Sequence, residues 1–106
     1  MTPVIVLTTA GTAFDVSALA RELVEQRLAA CVNIIPRIES IYRWQGRIET
    51  DAEQLLLIKT TQERVDALRA ALMARHPYEV PEFVVIRMDE TGGPWREWLI
   101  ESVAGR

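Results

Sequence analysis

The sequence predicts an α+β fold, a four-stranded antiparallel sheet with helices on one face, and three observations carry that prediction. The elements read strand, helix, strand, strand, helix, strand, followed by one more helix. Strand positions hold short β-branched apolar runs, whereas helix positions space their apolar residues three and four apart. Between the two halves, Gln45-Gly46 gives a tight-turn signal flanked by two long extended segments.

Val4 to Leu7 is the first strand, closed by Thr8, Thr9, Ala10 and Gly11. Thr12 and Asp15 form a candidate capping box for a first helix, along which Val16, Leu19, Ala20, Leu23, Val24 and Leu28 recur at helical spacing. The second strand starts over Cys31 to Ile35, is interrupted by a bulge or bend at Pro36, and continues from Ile38 to Trp44. Ile48 to Lys59 is the third strand, ending in the run Leu55-Leu56-Leu57-Ile58. Thr60 and Glu63 predict a second capping box and a helix with Val65, Leu68, Ala71 and Leu72 inward, stopped at His76-Pro77. The fourth strand is expected over Val80 to Met88, at an edge or unpaired at its start because Pro81 has no N–H. Gly92-Gly93-Pro94 then opens a third helix with Trp95, Trp98, Leu99 and Ser102 on one side.

This is the ferredoxin-like, split βαβ arrangement, with strand order 4-1-3-2 expected. A first strand of about six residues against hairpin arms of about twelve leaves the hairpin projecting about 20 Å beyond the sheet. A hairpin that long is unstable alone in water, so it is expected to dock on another subunit.

A chain of 106 residues makes a single domain, residues 1–106. Its 49% apolar and 25% charged residues are those of an ordinary globular protein. Net charge is -3 with no basic stripe, which argues against nucleic acid as a partner. Met1 to Leu7 has no basic segment before its apolar run, and that run ends at Thr8. With one cysteine, Cys31, and therefore no disulfide within the chain, the expectation is a cytoplasmic protein with no membrane association.

Four blocks carry a family likeness: Leu28 to Ile34, Ser40 to Gly46, Leu57 to Thr60, and His76 to Glu82, together with Trp98-Leu99. In these the chain resembles the CutA family of divalent-cation tolerance proteins over nearly its whole length. The resemblance implies a ferredoxin-like domain, a homotrimer assembled by strand pairing between subunits, and a cytosolic role in tolerance of copper and other divalent metals. It also implies a competing role, since PII signalling proteins share the trimer architecture and bind small effectors between subunits. Some members carry a cysteine near the end of the first strand and Pro-Asp before the first helix, where this chain has Thr8 and Gly11-Thr12. A metal site that relies on that thiol is absent here.

Candidate metal ligands are His76, Glu79, Glu82 and Cys31. Imidazole suits divalent copper and a thiolate suits Cu(I), so a divalent cation such as copper is the one cofactor to consider. Each residue also has a simpler role. Cys31, between alanines and Val32, reads as a small buried apolar residue, and His76 reads as a cap on a negative helix end. A regular strand puts Glu82 on the half-buried face of Val80, Val84 and Ile86, where a carboxylate needs a partner. The topology also leaves Cys31 and His76 at opposite ends of the sheet, too far apart to share an ion within one subunit.

Tyr42, Trp44, Lys59 and Tyr78 are candidate interface or cleft residues: aromatics anchor subunit contacts, and Lys59 either meets a small anionic ligand or reaches for water. Glu49, Asp51 and Glu53 alternate on the third strand, as a solvated face would. The first and third strands lack the aromatics of an RNA-binding sheet, no Cys-x-x-Cys is present, and no nucleophile has a sequence-evident base. The expected protein is therefore not an enzyme. It is a tolerance protein acting through weak metal binding or a protein partner, or else a PII-like regulator.

Overall fold

A computed structural model describes residues 1–105. The elements are β1 (Pro3–Gly11), α1 (Val16–Glu25), β2 (Cys31–Trp44), β3 (Arg47–Thr61), α2 (Val65–Arg75), β4 (Val84–Arg87) and α3 (Gly93–Val103), with a 3-10 turn at Gln62–Arg64 leading into α2. The sheet order is β2-β3-β1-β4, all neighbours antiparallel. This is the expected ferredoxin-like topology read from its other edge.

Alternation along the strands divides the sheet into two faces. Val4, Val6 and Ala10 of β1 and Leu56 and Ile58 of β3 point to the helices, where they meet Leu19 and Leu23 of α1 and Leu68 and Leu72 of α2. The two helices are joined at the surface by the Arg75–Glu22 ion pair. Ile5, Leu7, Leu55, Leu57, Val84, Ile86 and Ile35 share the opposite face. Along α3, Leu99 and Val103 are buried against Ala30, with Met88 and Ile100 beside them, whereas Trp95 and Trp98 stay exposed.

The hairpin is as long as expected. β1 ends at Gly11 opposite Glu53, so Arg47 to Ala52 of β3 have β2 as their sole neighbour, an overhang of about 20 Å. Register shifts between Ile35 and Ile38, the bulge expected at Pro36. The tip is a two-residue turn with Gln45 at φ 51 and Gly46 at φ 79, the positive pair that a right-twisted hairpin selects.

Several boundaries differ from the sequence reading. β1 continues through Thr8 to Gly11, because threonine is a good strand former and these residues find partners from Leu56 to Glu53 on β3. Asp15 alone caps α1, accepting from the amide of Ala18. α1 stops at Glu25, and Leu28 is buried in the turn that follows Arg27, whose φ is 59. Thr60 does not cap α2: it stays in β3 and its hydroxyl donates to the carbonyl of Leu28, 2.8 Å away. β4 is confined to Val84–Arg87, and residues 76–83 are irregular, as two prolines without N–H groups dictate. Glu82 therefore lies outside the strand and is exposed.

Candidate functional site

The overhang of the hairpin begins at a row of acidic residues. Glu53, Asp51 and Glu49 follow one another on one face of β3, opposite Ile38, Ser40 and Tyr42 of β2. Residues 76–83 cross this end of the sheet as a strap. His76 begins it, with Nε2 2.7 Å from the carbonyl of Thr9 and Nδ1 accepting from the amide of Tyr78 at 3.1 Å. Those two bonds require the neutral tautomer with the proton on Nε2. The imidazole stacks on Phe14 with centroids 6.1 Å apart and lies 4.8 Å from the ring of Tyr78. At the far end of the strap, the Arg69 guanidinium sits 4.8 Å over the ring of Phe83.

Tyr78 connects the strap to the acidic row. Its hydroxyl donates to Glu53 Oε2 at 2.6 Å, and Glu53 is only 7% exposed. The Tyr78 oxygen packs near Gly11, where a Cβ would lie 3.7 Å away, at ordinary van der Waals distance. Burial, followed by the Glu53 bond and charge, pushes the Tyr78 phenol well above the ordinary tyrosine range. One rung along, the Tyr42 hydroxyl donates to Asp51, and this bond, together with lost hydration and the neighbouring carboxylates, pushes Tyr42 up to about 12. Tyr42 is thus kept neutral chiefly by its bond to Asp51, and Tyr78 chiefly by burial with Glu53 second. On the helix face, the Gln54 amide donates to the carbonyls of Gly11 (2.8 Å) and Phe14 (3.0 Å), fixing the turn that carries Phe14. Beside the bulge, a recess of ≈ 490 Å³ is lined by Arg37, Ile38, Glu39, Thr50, Asp51 and Ala52.

The residues singled out from the sequence separate into three places. His76 and Tyr78 meet in the strap, with Tyr42 on the adjoining hairpin and Trp44 at its tip. Glu79 and Glu82 are exposed. Cys31 is half-buried rather than buried, with Sγ 3.9 Å from Asn33 Oδ1. It lies opposite Lys59, which is itself opposite Ile5, four residues from Thr9 on β1 and so about 13 Å along the strand from the carbonyl that holds His76. Lys59 belongs to that same end, far from the tyrosines. Among the described residues, no three His, Cys, Asp or Glu side chains converge as metal ligands. The residue that the sequence did not single out is Glu53. Its alternation with Asp51 and Glu49 suggested water, and the strap that buries it arrives from 25 residues away.

The CutA1 divalent ion tolerance protein model matches residues 4–102. The divalent-cation tolerance protein CutA of Thermus thermophilus is 49% identical over 84 residues, which are 79% of this chain and 82% of that one. The human Protein CutA is 47% identical over 81 residues, 76% of this chain but 45% of its own length. Among solved structures, that of a divalent cation tolerance protein from Thermus thermophilus superposes with a TM-score of 0.92 at 43% identity, covering 96% of this chain and 99% of that one. A PII-like protein CutA from Nostoc sp. PCC 7120, in apo form, gives 0.86 at 32% identity, covering 94% and 96%.

Proposed function

Because the chain belongs to the CutA1 divalent ion tolerance family, we propose that it serves divalent-cation tolerance, copper among the cations, as a non-enzymatic homotrimer of the cytoplasm. The observation that supports assembly is the sheet itself. Ile35, Val84 and Ile86 are each more than two-fifths exposed on the face away from α1 and α2, and Ile41, Ile48 and Trp44 are exposed on the overhanging hairpin. An apolar surface so distributed on one small domain is what a subunit interface covers. Among the described residues, no helix is long and apolar enough to cross a membrane.

Cation binding in this reading is weak and involves His76 with nearby carboxylates, Glu79 and Glu82 in the strap, while Cys31 stays apart. The closed strap does not fit a bound metal as it stands, since both ring nitrogens of His76 are engaged and the two carboxylates point to solvent. Copper titration followed by calorimetry tests the reading, with the Cys31→Ser and His76→Ala proteins beside the parent. Loss of binding in His76→Ala alone supports it. Binding that survives in both variants removes its basis.

A second reading is favoured by the likeness to the PII-like Nostoc protein. Here clefts between subunits, lined by Tyr42, Tyr78 and Lys59 brought from different copies, take a small anionic ligand or a protein partner. Native mass spectrometry of protein purified without added metal discriminates the two, because it reads subunit number and any retained ligand together.

A further inference from the structure

The three most exposed large apolar side chains among the described residues are Val80, Ile41 and Ile48, each more than three-fifths exposed. They form two patches. Val80 stands in the strap between Glu79 and Glu82, both exposed. Ile48, Thr50 and Ala52 share the face of β3 that carries Leu56 and Ile58 to the helices, and their partners on β2 are Arg43, Ile41 and Glu39. Ile41 and Ile48 therefore lie on the helix side of the overhang, with Arg43 beside them toward the tip. Toward the bulge follows Arg37, which with Glu39, Thr50 and Ala52 borders the recess of ≈ 490 Å³. Among the described residues, neither arginine and neither strap carboxylate takes part in an ion pair. The strap itself is firmly placed: His76 is bonded to Thr9, Tyr78 to Glu53, Phe83 lies beneath Arg69, and two prolines restrict the backbone. An element held in this way presents Val80 in one conformation, so docking onto it costs little ordering.

We propose that the strap of one copy docks on the helix side of the next copy's hairpin, Val80 against Ile41 and Ile48, with Glu79 and Glu82 meeting Arg43 and Arg37. The proposal rests on the homotrimer reading and adds which surfaces meet. The two patches match in kind, since each is an apolar centre flanked by unpaired charge, negative on the strap and positive on the hairpin. One chain does not bring its own pair together. Its strap meets β3 through Tyr78 and Glu53 on the opposite face of the ribbon, then runs away from the hairpin to β4 at the far edge of the sheet. The contact is therefore heterologous, hairpin of one copy to strap of the next, and it is satisfied everywhere only when the copies close into a ring. It also gives Glu79 and Glu82 partners that require no metal.

Size exclusion with light scattering over a dilution series tests the contact. All five positions to be changed are exposed, so the substitutions leave the core of each chain intact. Val80→Asp sets a carboxylate against Ile41 and is expected to raise the concentration at which the trimer dissociates about tenfold or more. Reversing the strap charges, Glu79→Arg with Glu82→Arg, should raise it about tenfold, and so should reversing the hairpin charges, Arg37→Glu with Arg43→Glu. All four reversals in one chain should return it to within about threefold of the parent, a recovery that independent surface effects do not produce. A parent trimer whose dissociation is unmoved by Val80→Asp and by both reversals overturns the contact and leaves the homotrimer reading standing. Reversals that weaken assembly additively, with no recovery in the fourfold variant, overturn it as well. A parent that is monomeric at micromolar concentration overturns the homotrimer reading itself, and the contact falls with it.

Discussion

Thr8 is 1% exposed on the helix face of β1, and its hydroxyl has no hydrogen-bond partner. A buried hydroxyl left unpaired loses its hydration for nothing, so the shape-matched Thr8→Val is expected to stabilise the protein by about 1 kcal/mol, read as a higher urea midpoint with unchanged slope. The tyrosines behave in the opposite manner, because their hydroxyls are well used. Both phenols are raised above the ordinary tyrosine value of 10.0, so each favours the neutral form more in the folded than in the unfolded chain. The resulting stability is fully present below pH 10 and is lost as pH rises through the folded values, about 12 for Tyr42. Ultraviolet titration should accordingly find neither tyrosine half-ionised at pH 10. Asp51→Asn should return Tyr42 toward the ordinary range while leaving Tyr78 high, since the first cause of the Tyr42 shift is its bond to Asp51 and that of Tyr78 is burial.

At the scale of elements, the hairpin is where sequence and structure agree most closely, for local reasons. Pro36 disrupts a ladder wherever it falls, and Gln45-Gly46 places glycine where φ is 79. Gly46→Val puts a β-branched side chain into that left-handed conformation and is expected to cost about 1 to 2 kcal/mol, measurable as a lower urea midpoint. Gln45→Asn, which suits the turn better, should move the midpoint the other way. Nonlocal contacts are harder to read. Thr8 to Gly11 resemble a turn until Leu56 to Glu53 offer them partners, and Val80 to Pro81 resemble a strand start until no neighbour reaches them. His76 and Tyr78 are legible as notable residues. Their shared bond with Glu53 is not, because alternating charge on a strand looks the same whether water or a distant tyrosine covers it.

For the whole molecule, the hairpin and the uncovered sheet face pose one question, which is what occupies them. About 20 Å of two-stranded ribbon has no third strand, and its tip carries Ile41, Trp44 and Ile48 in contact with solvent. Such a ribbon is marginal alone, so under the proposed assembly its order comes from another copy. Size exclusion with light scattering at micromolar concentration is expected to return three times the chain mass of 12.0 kDa. Trp44→Ala should weaken assembly by about 2 kcal/mol or more per contact, exposing monomer on dilution, because a large aromatic at such a position acts as an anchor. Ile86→Glu on the open sheet face should do the same by burying an unpaired carboxylate, whereas Val24→Glu, at an exposed position of α1 away from that face, should leave the mass unchanged. If both Trp44→Ala and Ile86→Glu retain the parent mass at every dilution, the hairpin and the sheet face are free surfaces, and the place to look for a partner protein moves onto them.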